Sequence, residues 1–390
     1  MLLIKNGYVL TMAGKPIRNG CVLIDGSKII SVGKKVDACP SACDQIDAGG
    51  GWVMPGLIDA HSHIGITEEK KSIEGDDGNE STEPITPYLR AIDAINPMDP
   101  AFHSAIKAGI TSAMIGPGSA NVVGGQFAFI KLWGRCLDDM IVLAPAAMKV
   151  AFGENPKATY GESNEMPSTR MGIAAMLREE LTKAKRYYLA KEAAEREGKD
   201  YDFDFERECW IPVFKKEIPL KAHVHRADDI LTAIRIAKEF DLRMTLDHCT
   251  EGHLIIDEIK ASGFPAIIGP TLSSRNKIEV QYMDFKEYGI LNKAGVKIAV
   301  TTDHPVTRIP CLAICAGLAA REGLGIDEAL KAITIYPAEI CGVSGRLGSL
   351  EIGKDADIAI FSGNPLEVFT QTLYTIVNGK IVYNSFTDDR

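Results

Sequence analysis

Between about residues 52 and 347, short apolar runs alternate with stretches of helical period, and nothing else in the chain restricts its fold as strongly. A strand that feeds a helix returns parallel to its neighbour, so the alternation builds βα units and a parallel sheet covered by helices. Seven runs read as strands: Leu57 to His63, Ser112 to Gly116, Ile141 to Phe152, Leu220 to His225, Met244 to His248, Ala266 to Gly269 and Ile298 to Thr302. An α/β barrel needs an eighth, either a division of Ile141 to Phe152 or a strand near Trp210 to Phe214. Met171 to Arg196 is amphipathic and stops at Gly198, which makes it a long outer helix.

The two ends follow a different grammar. Residues 1–51 break into short strands around Asn6-Gly7 and the hairpin signal Asp25-Gly26, and residues 348–390 repeat this around Asn378-Gly379. Neither end can close a core alone, so the two are expected to pack into one composite β-sandwich domain beside a (β/α)8 TIM barrel at 52–347.

Composition narrows the function. With 46% hydrophobic and 24% charged residues the chain can bury a large core. A net charge of -9 without any basic run excludes a phosphate-backbone partner such as nucleic acid. No apolar stretch approaches the ~20 residues of a membrane helix. Met1 to Gly7 lacks the basic start of a signal peptide, so a cytoplasmic protein is expected. Nine cysteines, an odd number in a core-rich chain, read as reduced thiols, and the C-x3-C pairs Cys39/Cys43 and Cys311/Cys315 lack the partner pair of a zinc site. The expected partners are a small-molecule substrate and further copies of the chain in a homo-oligomer.

The chemistry sits at strand ends. His61-Ser62-His63 closes the first barrel strand, and residues i and i+2 of a strand share a face, so both imidazoles aim the same way. His223-Val224-His225 repeats the pattern, whereas roughly 0.16 H-x-H pairs are expected by chance from eight histidines in 390 residues. His248 ends the next strand and Asp303, in Thr302-Asp303-His304-Pro305, ends the last. Taken singly, a strand-end histidine is more often a hydrogen-bonded core residue, and His103 and His253 are read that way. His61, His63, His223, His248 and Asp303 all fall at the C-terminal ends of barrel strands, where barrel enzymes keep their active sites. Such an N/O-rich set suits a divalent ion, zinc first, with iron or manganese as alternatives. His225 and His304 are candidates for supporting or substrate-facing positions.

These residues, with the leading motif Val53-Met54-Pro55-Gly56-Leu57-Ile58-Asp59-Ala60-His61-Ser62-His63, the segment Ala108-Gly109-Ile110-Thr111 and the closing motif Gly348-Ser349-Leu350-Glu351-Ile352-Gly353-Lys354-Asp355-Ala356-Asp357, resemble the amidohydrolase superfamily near imidazolonepropionase. The resemblance covers nearly the whole chain. It implies that His61, His63 and Asp303 hold one metal, that His223 and His248 complete it or hold a second, and that a hydroxide is the nucleophile. Binuclear members add a bridging carboxylated lysine or glutamate, for which Lys149 and Glu154 are the candidates.

The implied reaction is metal-dependent hydrolysis of a C–N bond in an amide, cyclic amide or small peptide-like substrate, with Asp303 as proton shuttle and His248 as ligand or carbonyl polariser. The acidic loop from Glu68 to Pro87 departs from imidazolonepropionase, which carries an arginine there for the substrate carboxylate. Pro117 to Ala120 and Gly124-Gly125-Gln126 lack phosphate-loop spacing and read as a loop beside the site. Arg226, Arg275 and Asn276 are positioned to meet a substrate. Two rival readings are a heterocycle deaminase, for which no H-x-x-E stands out on these strands, and a scaffold that has lost catalysis, which would have shed ligands that this chain keeps.

Overall fold

The computed structural model describes residues 1–36, 43–69 and 72–387. Its strands, in chain order, begin with β1 (Leu2–Val9), β2 (Ile17–Asp25), β3 (Lys28–Gly33), β4 (Asp44–Asp47) and β5 (Trp52–Pro55). The barrel follows with β6 (Leu57–Ser62), β7 (Ile110–Ile115), β8 (Val123–Lys131), β9 (Ile141–Ala151), β10 (Leu220–Val224), β11 (Met244–His248), β12 (Ala266–Ile268) and β13 (Ile298–Val300). The chain ends with β14 (Ile358–Phe361), β15 (Thr372–Val377) and β16 (Lys380–Asn384).

The barrel strands lie side by side in chain order from β6 to β13. All their pairings are parallel except those of β8, which runs antiparallel to both β7 and β9. The eighth strand is therefore Val123–Lys131 and not the two places expected for it: Ile141–Ala151 is one strand, and Ile211–Phe214 is a short helix. Gly124, Gly125 and Gln126, expected in a loop, begin β8, where side chains as large as Phe127 and Phe129 are buried. A strand reached by a tight return carries no helical period before it, which is why the alternation concealed it. The long outer helix runs from Arg170 to Arg196.

Side chains close the seam between β13 and β6. Asp59, fully buried, accepts hydrogen bonds from Thr301 Oγ1 at 2.6 Å, Thr302 Oγ1 at 2.5 Å, Thr302 N at 3.1 Å and His61 N at 3.2 Å. His63 N also donates to His304 O across the seam at 2.9 Å.

The terminal strands make one sheet in the order β16-β15-β14-β5-β1-β2-β3, with β4 also on β1. One apolar cluster joins Ile4, Val22, Ile29, Ile46, Val53, Ile358 and Ile376, so strands from both ends bury their alternating side chains together. Phe361, Val377 and Tyr383 belong instead to the barrel's own cluster and fasten the sheet to it. Lys131 on β8 ties the two further: its buried Nζ meets Asp355 Oδ2 at 2.8 Å and Asp357 Oδ1 at 3.0 Å.

The thiols are not all reduced, although the sequence suggests they should be. Cys43 is disulfide-bonded, whereas seven other cysteines, Cys311 and Cys315 among them, are free; Cys39 lies outside the described residues. No helix of the described residues is long and apolar enough to cross a membrane.

Candidate metal centre

The strand ends bring six donors into two groups. His61, His63 and Asp303 offer ligand atoms within 4.8 Å of one another, and so do His223, His225 and His248. The groups adjoin, with the His61 and His248 ring centroids 5.1 Å apart. His225, expected only in support, is a full member of the second group, because the period of two that aims His223 inward aims His225 the same way.

Each of the five imidazoles is held through Nδ1. His61 Nδ1 donates to Asp247 Oδ2 at 2.5 Å, His63 Nδ1 to Gly116 O at 2.6 Å and His248 Nδ1 to Gly269 O at 2.7 Å. A carbonyl or a carboxylate can only accept, so these three rings carry the proton on Nδ1 and turn a bare Nε2 to the site. His223 Nδ1 pairs with Ser119 Oγ at 2.9 Å and His225 Nδ1 with Thr250 Oγ1 at 2.8 Å. Gly116 and Gly269 cannot be larger: an added Cβ would lie 2.2 Å from the Phe127 ring in one case and 2.2 Å from Thr301 O in the other.

Burial pushes the pKa values of His61, His223 and His225 well below the usual imidazole value and that of His248 below it, which favours the neutral, ligating form. Burial raises the Asp303 carboxyl, but the neighbouring His63, His248 and Lys149 outweigh it and leave the group below its ordinary value. Asp303 Oδ1 lies 3.2 Å from His63 Nε2 and 3.5 Å from His61 Nε2 and has no hydrogen-bond partner. His248 and Asp303 have φ of +72° and +52°, left-handed backbone seldom adopted by non-glycine residues.

Beneath the donors lies a charged layer of which the sequence singled out Lys149 alone. Lys221 Nζ reaches Asp247 Oδ2 at 2.9 Å and Ala60 O at 2.9 Å. Lys149 Nζ stands 3.5 Å from His61 Nε2, its pKa drawn down to about 8 by burial against the pull of Asp247 and Asp303. The Phe127 ring receives both ammoniums, at 5.5 and 5.4 Å. A signal existed: Asp59 and Lys221 each stand two residues before a site histidine, on the same strand face.

Other candidates fall elsewhere. The side chain of Glu154, on the helix Glu154–Gly161, lines a neighbouring cleft with Arg170 and Arg226, and Arg226 is paired to Asp228 at 2.9 Å. Arg275 donates to Met283 O at 2.7 Å and lines a third cleft. His304 is buried, its pKa lowered to about 4 by that burial, and accepts from Ile309 N at 3.2 Å. Asn276 does line the histidine cleft, about 230 Å³, together with Asn79, Asn155, Ser273 and Lys277.

The donor chemistry fits a divalent ion: imidazoles prepared as ligands, and a buried carboxylate oxygen without a partner. The amidohydrolase family profile matches residues 52–382. The chain belongs to the amidohydrolase family. It is 40% identical to a solved amidohydrolase from Thermotoga maritima MSB8, over 98% of this chain and 100% of that one, with a TM-score of 0.95. Amidohydrolase tasK of Hapsidospora irregularis is 28% identical over 92% of this chain, which spans only 39% of that longer protein. Imidazolonepropionase of Colwellia psychrerythraea (strain 34H / ATCC BAA-681) is 24% identical over 91% of this chain and 88% of its own length. The family resemblance drawn from the strand-end residues and the two flanking motifs therefore holds, and with it the barrel beside a small terminal sheet.

Proposed function

We propose that this amidohydrolase hydrolyses a C–N bond in a small amide, cyclic amide or peptide-like substrate with the help of divalent metal, zinc first. The observation that carries the reading is the convergence of five Nδ1-anchored imidazoles and the unpartnered Asp303 Oδ1 at the C-terminal end of one barrel. His61, His63 and Asp303 would hold one ion, and His223, His225 and His248 a second. Lys149, beside His61 Nε2, is the bridging candidate. A bound ion supplies Lewis acidity and lowers the pKa of water towards ~7.

The chain's own residues do the remainder. Asp303 Oδ1 takes the proton of the attacking water and returns it to the leaving nitrogen. His248 is held by Gly269 O so that its Nε2 faces the substrate carbonyl or an ion. Asn276 and Lys277 line the same cleft and are placed to orient a small polar substrate. The terminal segments, residues 1–51 and 348–390, act as one supporting unit for the barrel at 52–347, and the protein works in the cytoplasm as a homo-oligomer.

Elemental analysis should find at least about one transition metal per chain, and His61→Ala should lower metal affinity by ~10-fold or more. A screen of N-acyl amino acids, dipeptides and cyclic amides should then yield a metal-dependent activity. Full activity in metal-free protein would refute the reading.

A further inference from the structure

The second histidine group has a carboxylate neighbour with no role so far. Glu279, in the loop between β12 and the helix Lys286–Lys293, is 1% exposed. Its Oε2 accepts from Glu154 N at 2.9 Å. Its Oε1 is buried with no hydrogen-bond partner, 3.7 Å from His223 Nε2, 3.9 Å from His225 Nε2 and 3.8 Å from Lys277 Nζ.

A carboxylate oxygen withdrawn from water is costly unless a cation or donor faces it. Lys277 does not meet that need: its ammonium is beyond hydrogen-bond distance, its side chain is 35% exposed, and its Nζ already bonds Asn155 Oδ1. The imidazole nitrogens are equally too far for hydrogen bonds. Around a tetrahedral ion with ligands at ~2.0 to 2.1 Å, donors stand about 3.3 Å apart. Glu279 Oε1 is therefore a few tenths of an ångström from ligand spacing on the His223 and His225 side.

We propose that Glu279 is the fourth protein donor of the second centre, completing His223, His225 and His248. The inference rests on the metal-dependent reading above and adds a division of labour. Four protein donors make a closed site with no position for a bridge from Lys149, which on this assignment supports His61 instead, whereas His61, His63 and Asp303 leave a position open for water. Activation of the nucleophile then belongs to the first centre, and the second holds the ends of β10 and β11 together.

Zn²⁺ titration against a chromophoric chelator tests this on the full chain. Wild type should bind two ions, while Glu279→Gln, which keeps an oxygen for Glu154 N, should retain one and hold the other at least ~10-fold more weakly. Lys277→Met should keep both, which separates ligation from a mere ion pair. In crystals of the Co²⁺-loaded wild type, Glu279 Oε1 should stand within about 2.2 Å of the ion, a readout that does not depend on any variant folding. Unchanged binding of both ions by Glu279→Gln, equal loss in Lys277→Met, or an Oε1 beyond about 3 Å would each overturn the proposal and leave the metal-dependent reading standing. Wild type that binds no Zn²⁺ would overturn both.

Discussion

Asp247 lets the coupling between support and site be measured. Its Oδ2 accepts from both His61 Nδ1 at 2.5 Å and Lys221 Nζ at 2.9 Å, and its Oδ1 accepts from Thr245 Oγ1 at 2.6 Å. In Asp247→Asn the amide oxygen best takes the Oδ2 position, where it still meets His61 and Lys221, and the NH2 faces Thr245, whose hydroxyl can rotate to accept. Geometry survives and charge does not. A charge-assisted bond is roughly twice as strong as a neutral one, and loss of such support behind a metal-binding histidine costs ~10- to 100-fold in affinity, about 1.4 to 2.8 kcal/mol.

Lys221, 1% exposed, would at the same time lose its only counter-ion among the described residues, which costs about 3 to 5 kcal/mol. For a chain of this length that lowers Tm by about 4 to 6 °C. The two effects separate in the double variant Lys221→Met/Asp247→Asn, which removes the stranded ammonium. Its Tm should recover towards wild type while its Zn²⁺ affinity, measured by chelator competition, stays low. Zn²⁺ affinity within threefold of wild type in Asp247→Asn would refute the argument that this carboxylate prepares His61.

Three further outcomes follow from the same structure. Asp303→Asn keeps a weak oxygen ligand but no base, so kcat/KM on an identified substrate should fall by ~10² to 10⁴ while much of the metal remains; near wild-type turnover would move the shuttle role to another residue. The Asp355 carboxyl is held at about 2, because Lys131, Lys28 and Arg346 outweigh its burial. Its folded pKa lies below the unfolded 3.8, so its contribution, about 2 kcal/mol before the opposing effect of the buried Asp357, is present above about pH 4 and lost as pH falls towards 2. The Tm gap between wild type and Asp355→Asn should therefore narrow over that range, and a constant gap would exclude the effect. Deleting residues 361–390 removes β15 and β16 and uncovers the apolar face of the terminal strands, so the truncated chain should be insoluble; a soluble, active product would show that the two ends do not depend on each other.

What the sequence made legible follows from what periodicity can carry. The H-x-H pairs were readable because a period of two fixes direction, and the strand ends were readable because apolar runs stop where loops begin. β8 was not, since an antiparallel return leaves no helix to announce it, and its glycines imitate a loop. Glu279 was not, because it reaches the site from a loop with only the short turn Ile278–Val280 as regular structure, and no periodicity aims such a side chain. Arg226 and Arg275 lie otherwise than their place in the chain suggests: position beyond a strand end brings a side chain near the rim, but Asp228 and Met283 O engage them away from the histidine cleft.

The charged layer under the histidines accounts for a departure from ordinary barrel interiors, which are filled by branched apolar side chains. Here Asp59, Lys149, Lys221 and Asp247, none more than 1% exposed, share that space with Phe127. Two acidic and two basic side chains balance formally, so the layer holds no net charge while both pairs are ionised. Replacing a buried pair by apolar side chains often leaves a protein as stable or more so, which means that stability alone does not explain four ionisable groups at this depth. Their contacts supply the reason. Asp247 fixes the tautomer of His61, Lys221 neutralises Asp247, Asp59 fastens the β13 seam that presents Asp303, and Lys149 stands against His61 Nε2. Every member of the layer acts on the His61, His63 and Asp303 group, and none of these bonds reaches His223, His225 or His248. The His61, His63 and Asp303 group is therefore the one whose geometry the barrel interior is built to control, which is what the proposed hydrolysis at that group requires.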